Sequence, residues 1–181
     1  MKSSAFCIFG LLTVIWAVEL VNGFMGHQLS GWGILPRTTQ GLIGIPLSPL
    51  LHGSCSHAVS NTVPLLVLGG LIGFRGSRAL MGVTLFVIVV SGVAVWGLGR
   101  TAIHVGASGL VFGYLGYLLA KGWYDRKPSS ILIALAVLLL YGGLLLGVLP
   151  SKGFISWEMH LFGLIAGMLA ARLTKKKGRA V

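Results

Sequence analysis

Acidic residues are nearly missing from this chain. It has 3 Asp+Glu against 14 Lys+Arg, a net charge of +11, and charged residues fill only 9% of its 181 positions. Soluble domains average about 25%. With 55% hydrophobic residues and a mean hydropathy of +0.92, the composition excludes a soluble globular domain and a disordered chain. It argues against a nucleic-acid binder as well, because a basic patch needs a polar face to sit on. The only carboxylates are Glu19, Asp125 and Glu158, so a paired-carboxylate hydrolase or a carboxylate-rich metal site is hard to build. Two cysteines, Cys7 and Cys55, are too few for a disulfide framework. A membrane protein remains.

Crossing about 30 Å of hydrocarbon takes roughly 17–25 apolar residues in a helix. Six stretches qualify, at about 5–24, 57–74, 80–98, 107–123, 130–149 and 157–173. They are separated at Arg75-Gly-Ser-Arg78, Gly99-Arg100-Thr101, Asp125-Arg-Lys-Pro128 and Pro150-Ser-Lys152-Gly153. The runs are too long for barrel strands and lack period-2 alternation. The expected fold is therefore all-α, a polytopic six-helix bundle, with residues 1–181 as one membrane domain ending in a basic tail at 174–181. The first span begins like a signal peptide, but no A-x-A-like site follows it, so it is read as retained.

Orientation follows from the cations. With the N-terminus in the cytoplasm, Lys2, Arg75, Arg78, Lys121, Arg126, Lys127, Arg172, Lys175, Lys176, Lys177 and Arg179 fall inside, and Arg37, Arg100 and Lys152 outside. Both termini then lie in the cytoplasm, with the tail held against anionic lipid. The outer segment at about 25–56 is apolar and rich in Gly and Pro, as short interfacial helical turns would be.

Ionisable groups inside spans are costly and mark candidate sites. His57 and Asn61 share a face near the outer end of span two; Ser108 opens span four; His160 lies in the first turns of span six. Spans two, four and six all run inward, so these groups sit at one membrane level. A serine needs a base to act as a nucleophile, and histidine titrates near the required pH. A serine at a helix N-terminus also has free N–H groups beside it to hold an oxyanion. Gly106 and Gly109 permit a tight turn and close approach. No carboxylate completes a triad. Asp125 is at the other face, Glu19 has no link to His160, and Glu158 lies about 200° from His160 around the helix. Phe112, one turn below Ser108, can orient the imidazole by packing on it. His104 and His27 read as solvated or capping residues of outer loops. Cys55 beside His57 lacks the partners of a zinc site, and no metal or cofactor is expected. Gly109-x3-Gly113 and Gly163-x3-Gly167 read as packing seams. Taken singly, Ser108 also reads as a small packing residue, His57 with Asn61 as a polar pair joining helices, and His160 as a pore or interface histidine.

Three motifs in order join these residues: His52-x4-His57-x3-Asn61, Gly106-Ala-Ser108-Gly109 and His160-x2-Gly163-x3-Gly167. In this the chain resembles the rhomboid intramembrane serine proteases, over about Leu35 to Leu173. The resemblance implies an outward-opening cavity in a six-helix core. It makes Ser108 the nucleophile and His160 the general base. His57, Asn61 and the Ser108 N–H would form the oxyanion hole, and His52 would be a structural residue at the mouth. Span five and the segment after Pro150 would gate lateral entry. Substrates would be single-span membrane proteins cut near the outer edge of a helix. The chain departs from the family at Ile43-Gly44, where Trp-Arg is frequent, at Phe112 in place of Tyr, and at Phe162 in place of Gly. The alternatives are a non-catalytic rhomboid-like protein that binds clients, and a small transporter. Both Ser and His are present, against the first. Leu65 to Gly73 and Leu164 to Leu169 carry no polar trail through the membrane, against the second. The compact form points to a prokaryotic plasma membrane.

Overall fold

A computed structural model of the chain describes residues 2–151 and 155–174. Lys152, Gly153, the basic tail from Lys175 onward, and so part of the segment after Pro150, lie outside the described residues. Within them the chain is all-helical: α1 (Lys2–Phe24), α2 (Thr39–Leu47), α3 (Cys55–Gly73), α4 (Ser77–Leu98), α5 (Ser108–Asp125), α6 (Pro128–Tyr141) and α7 (Trp157–Leu173). Three 3₁₀ segments, Gln28–Trp32, Ser48–Leu50 and Gly142–Val148, complete it. The segment between α1 and α3 is thus built of short helices.

Helix starts follow local chemistry. Thr38, Ser54 and Ser156 are N-caps whose side chains accept from the N–H groups of Gly41, His57 and Met159. Pro128 opens α6, where its missing N–H costs nothing. α6 then tightens at Gly142 into the 3₁₀ segment.

Among the described residues, four stretches are long and apolar enough to cross a membrane: Lys2–Phe24, Cys55–Gly73, Ser77–Leu98 and Pro128–Val148. α7 has only 17 residues, and α5 ends in the ion-paired Lys121 and Asp125. The polarity of α5 suits its place. Every residue from Ser108 to Leu118 is buried, because α3, α4, α6 and α7 all pack against it. α6 is the opposite case, with Leu132, Leu135, Leu139 and Leu140 exposed as a lipid-facing side requires.

The α5–α7 contact is made backbone to backbone. A Cβ on Gly163 would run into the Gly109 carbonyl, one on Gly167 into the Gly113 carbonyl, and one on Gly116 into the Leu164 carbonyl. Small residues allow this approach where lipid offers no hydrophobic drive for association. At the far end of α5, Asp125 binds Arg75 at 2.8 Å and Lys121 at 2.7 Å, and the Lys121 ammonium donates to the Thr174 carbonyl at 3.2 Å. These bonds fasten α3, α5 and α7 together.

Candidate active site

A cavity of about 830 Å³ opens among α3, α5, α7 and the Gly142–Val148 segment. His57, Asn61, Ser108, Phe112, Gly147 and His160 all line it. The structure therefore brings together the candidates from spans two, four and six.

Ser108 is the first residue of α5 and is 8% exposed. Ala107 gives the helix no side-chain cap, so the N-terminal N–H groups beside Ser108 are not taken by one. The chain enters α5 through Gly106, whose φ is +115°. A Cβ there would lie 2.6 Å from Cε1 and 2.7 Å from Nε2 of His57. Glycine is thus required twice, by the backbone angle and by the approach of the ring. Asn61 sits one turn below His57 and donates from Nδ2 to the His57 carbonyl at 3.1 Å, which leaves its second amide hydrogen to face the cavity.

His160 is held in two ways. Its Nδ1 lies 2.9 Å from the Gly147 carbonyl, which only accepts, so Nδ1 carries the proton and Nε2 has the free lone pair. Its ring stacks on Phe112 with centroids 4.1 Å apart and planes 4° from parallel. Phe112 thus packs face to face on the imidazole. The Gly147 carbonyl occupies the place a carboxylate has in a triad. Sequence reasoning missed it, since a backbone acceptor carries no residue signature. No hydrogen bond joins Ser108 Oγ to the His160 ring among the described residues. Such bonds are often long before substrate binds.

His52 is fully buried. Its Nε2 accepts from the Ala107 N–H at 3.2 Å, and its carbonyl accepts from Asn22 at 2.9 Å and Ser30 at 2.8 Å. It ties the turn before Ser108 to the C-terminal end of α1. Burial, with the charge of His57 next, pushes its pKa down to about 4 against the opposing Leu50 backbone. A neutral ring is what the accepting Nε2 demands.

His104 corrects the sequence reading. It is 1% exposed, not solvated, because its backbone pairs with Ile34 and its ring reaches Ser156, the N-cap of α7. His27 is half-buried and donates to Glu19 at 3.1 Å. Glu158 does face away from His160: its carboxylate meets Arg100 at 3.4 Å. All three acids are thus engaged by cations or by a histidine. Cys55 is exposed as a free thiol, and no group of three or more His, Cys, Asp and Glu could hold a metal among the described residues.

The sequence matches the family model of the Rhomboid domain over residues 39–177. It is also similar to uncharacterized proteins of Mycobacterium bovis and Mycobacterium tuberculosis, each 39% identical over 186 residues that cover 96% of this chain and 78% of the relative. A Mycobacterium leprae protein, also uncharacterized, is 39% identical across 96% of this chain and 74% of its own length.

Proposed function

The chain belongs to the rhomboid family and is an integral membrane protein, and from that premise we propose that it is an intramembrane serine endopeptidase working through Ser108 and His160. The observation that carries the reading is the state of His160. Its Nδ1–H is held by the Gly147 carbonyl and its ring by Phe112, so Nε2 is the basic atom in a cavity shared with Ser108.

In this reading Nε2 of His160 removes the Ser108 proton as Oγ attacks the scissile carbonyl. The imidazolium then protonates the leaving amine. The Gly147 carbonyl, in place of a carboxylate, stabilises the positive ring. The oxyanion forms beside the Ser108 N–H, Asn61 and His57, and water releases the acyl group from Ser108. The substrates are transmembrane segments of membrane proteins, cut in a plasma membrane. Eleven of the 14 cations support a topology with both termini in the cytoplasm and the cavity near the outer face.

A fluorophosphonate probe, applied to the purified protein, tests this. Labelling is expected in the wild type and lost in Ser108→Ala, and His160→Ala should not cleave a model transmembrane substrate. Labelling that survives Ser108→Ala, or cleavage by His160→Ala, refutes the reading. Asn61→Ala should slow cleavage about 10²–10³-fold, the usual effect of removing one oxyanion donor.

A further inference from the structure

Ser108 and His160 each lie four residues after a member of another pair. His104 precedes Ser108, Ser156 precedes His160, and the two meet at 2.6 Å between Nδ1 and Oγ. We propose that this His104–Ser156 bond is the positioning strut of the dyad, fixing the base-bearing helix against the segment that delivers the nucleophile. The inference rests on the reading of Ser108 and His160 given above.

The bond has a defined direction. Nε2 of His104 faces the Arg100 carbonyl at 3.1 Å, so that nitrogen carries the hydrogen. Nδ1 is then the acceptor, and the Ser156 hydroxyl donates to it. The Ser156 oxygen accepts in turn from the Met159 N–H at 3.3 Å, and the Ser156 carbonyl from the His160 N–H at 3.3 Å. One residue thus caps α7, holds the backbone of His160, and binds His104. On its other side His104 exchanges two backbone hydrogen bonds with Ile34, each 2.9 Å. It cannot move without disturbing the first outer segment.

The seam between α5 and α7 shows why a strut is needed. Gly109, Gly116, Gly163 and Gly167 set how near the helices come. They supply no side-chain knobs to fix how far one slides or turns along the other. A directional bond at the outer end of both helices supplies that register where the chemistry happens. Arg100 joins the same two segments through Glu158 at 3.4 Å and the Ile155 carbonyl at 2.7 Å. Its side chain is a third exposed, whereas His104 is enclosed, so the inner bond is the more sheltered of the two.

The test uses the full chain in liposomes and a fluorophosphonate probe over a range of concentrations. The maximal labelling rate reads activation of the nucleophile, and the half-saturating concentration reads probe binding. His104→Leu keeps the Ser156 cap and removes the strut; Ser156→Ala removes both; Ser156→Thr keeps the hydroxyl. The first two are expected to lower the maximal rate about 10- to 10²-fold, since misplacement by about 1 Å costs that much. The half-saturating concentration should stay within about twofold, as a change confined to activation requires. Ser156→Thr should recover the rate, and the double variant should be no slower than the slower single one. An unchanged rate in Ser156→Ala, or no recovery in Ser156→Thr, overturns the strut. Thermal unfolding is recorded alongside. Should His104→Leu fail to fold, the Ala and Thr variants at 156 decide alone. If labelling does not depend on Ser108 at all, the protease reading fails. If it depends on Ser108 but ignores 104 and 156, only the strut fails.

Discussion

Adding one methyl group at Gly167 should damage both stability and activity, although the residue is remote from the cavity lining. A Cβ there overlaps the Gly113 carbonyl oxygen and lies 2.7 Å from its carbon and 2.9 Å from the Tyr117 nitrogen. Carbon contacts settle near about 3.5–4.0 Å, so the helices must part by roughly 1 Å. All three obstacles are backbone atoms of α5, which is buried on every side from Ser108 to Leu118 and cannot yield cheaply. Overpacking of this kind costs about 1–3 kcal/mol. The displacement also carries His160 away from Ser108, and a shift of roughly 1 Å is worth about 10²-fold in rate. Gly70→Ala is the matched control. It is also helical, but nothing lies within 4 Å of its would-be Cβ, so it should be neutral or stabilise by about 0.5–1 kcal/mol through lower backbone entropy in the unfolded chain. Both variants go through thermal unfolding in the same detergent micelles and through fluorophosphonate labelling. Equal stability of the two, or a normal labelling rate in Gly167→Ala, refutes the argument that the α5–α7 seam sets the dyad.

Two further outcomes follow from residues near the cavity. The His52 pKa falls from 6.5 to about 4 on folding, so the neutral ring stabilises the fold fully above pH 6.5, and that stability drains away as pH drops toward 4. At 1.36 kcal/mol per pH unit the whole effect is about 3 kcal/mol. His52→Gln keeps an acceptor for the Ala107 N–H but does not titrate. Its unfolding temperature should therefore fall less between pH 6.5 and 4 than that of the wild type, and parallel pH profiles would count against the assignment. Gly106→Ala forces a side chain into φ +115° and into the His57 ring. It should cost at least about 1–2 kcal/mol, the strain of a left-handed L-residue, and unfolding at the wild-type temperature would show that the turn relaxes freely.

The apolar runs and the three motifs were legible because each is written in local residue types. Apolar runs became helices at Lys2–Phe24, Cys55–Gly73 and Ser77–Leu98, and His57, Asn61, Ser108 and His160 came to one cavity. The fifth run became α6 plus a 3₁₀ segment. Its apolar pattern does not distinguish the two, and only Gly142-Gly143 hints at the change. What could not be read was tertiary and carried by backbone atoms: the Gly147 carbonyl on His160, and the burial of His104 by Ile34 and Ser156.

The scarcity of acids is where these two kinds of information meet. Glu19 is bound by His27, Asp125 by Arg75 and Lys121, and Glu158 by Arg100. A fourth carboxylate placed on His160 would have to be stripped of water against a ring already stacked on Phe112 and bonded to the Gly147 carbonyl. Burying a lone carboxylate costs several kcal/mol in practice. A carbonyl already fixed by the backbone fixes the tautomer at far lower desolvation cost, and its dipole still favours the imidazolium when it forms. The substitution has a consequence for redesign. Changing Gly147 to a carboxylate would not build a triad, because a Cβ there already meets Phe112 Cζ at 3.0 Å and His160 Nδ1 at 3.1 Å. Even the first atom of the new side chain would press on the Phe112–His160 stack.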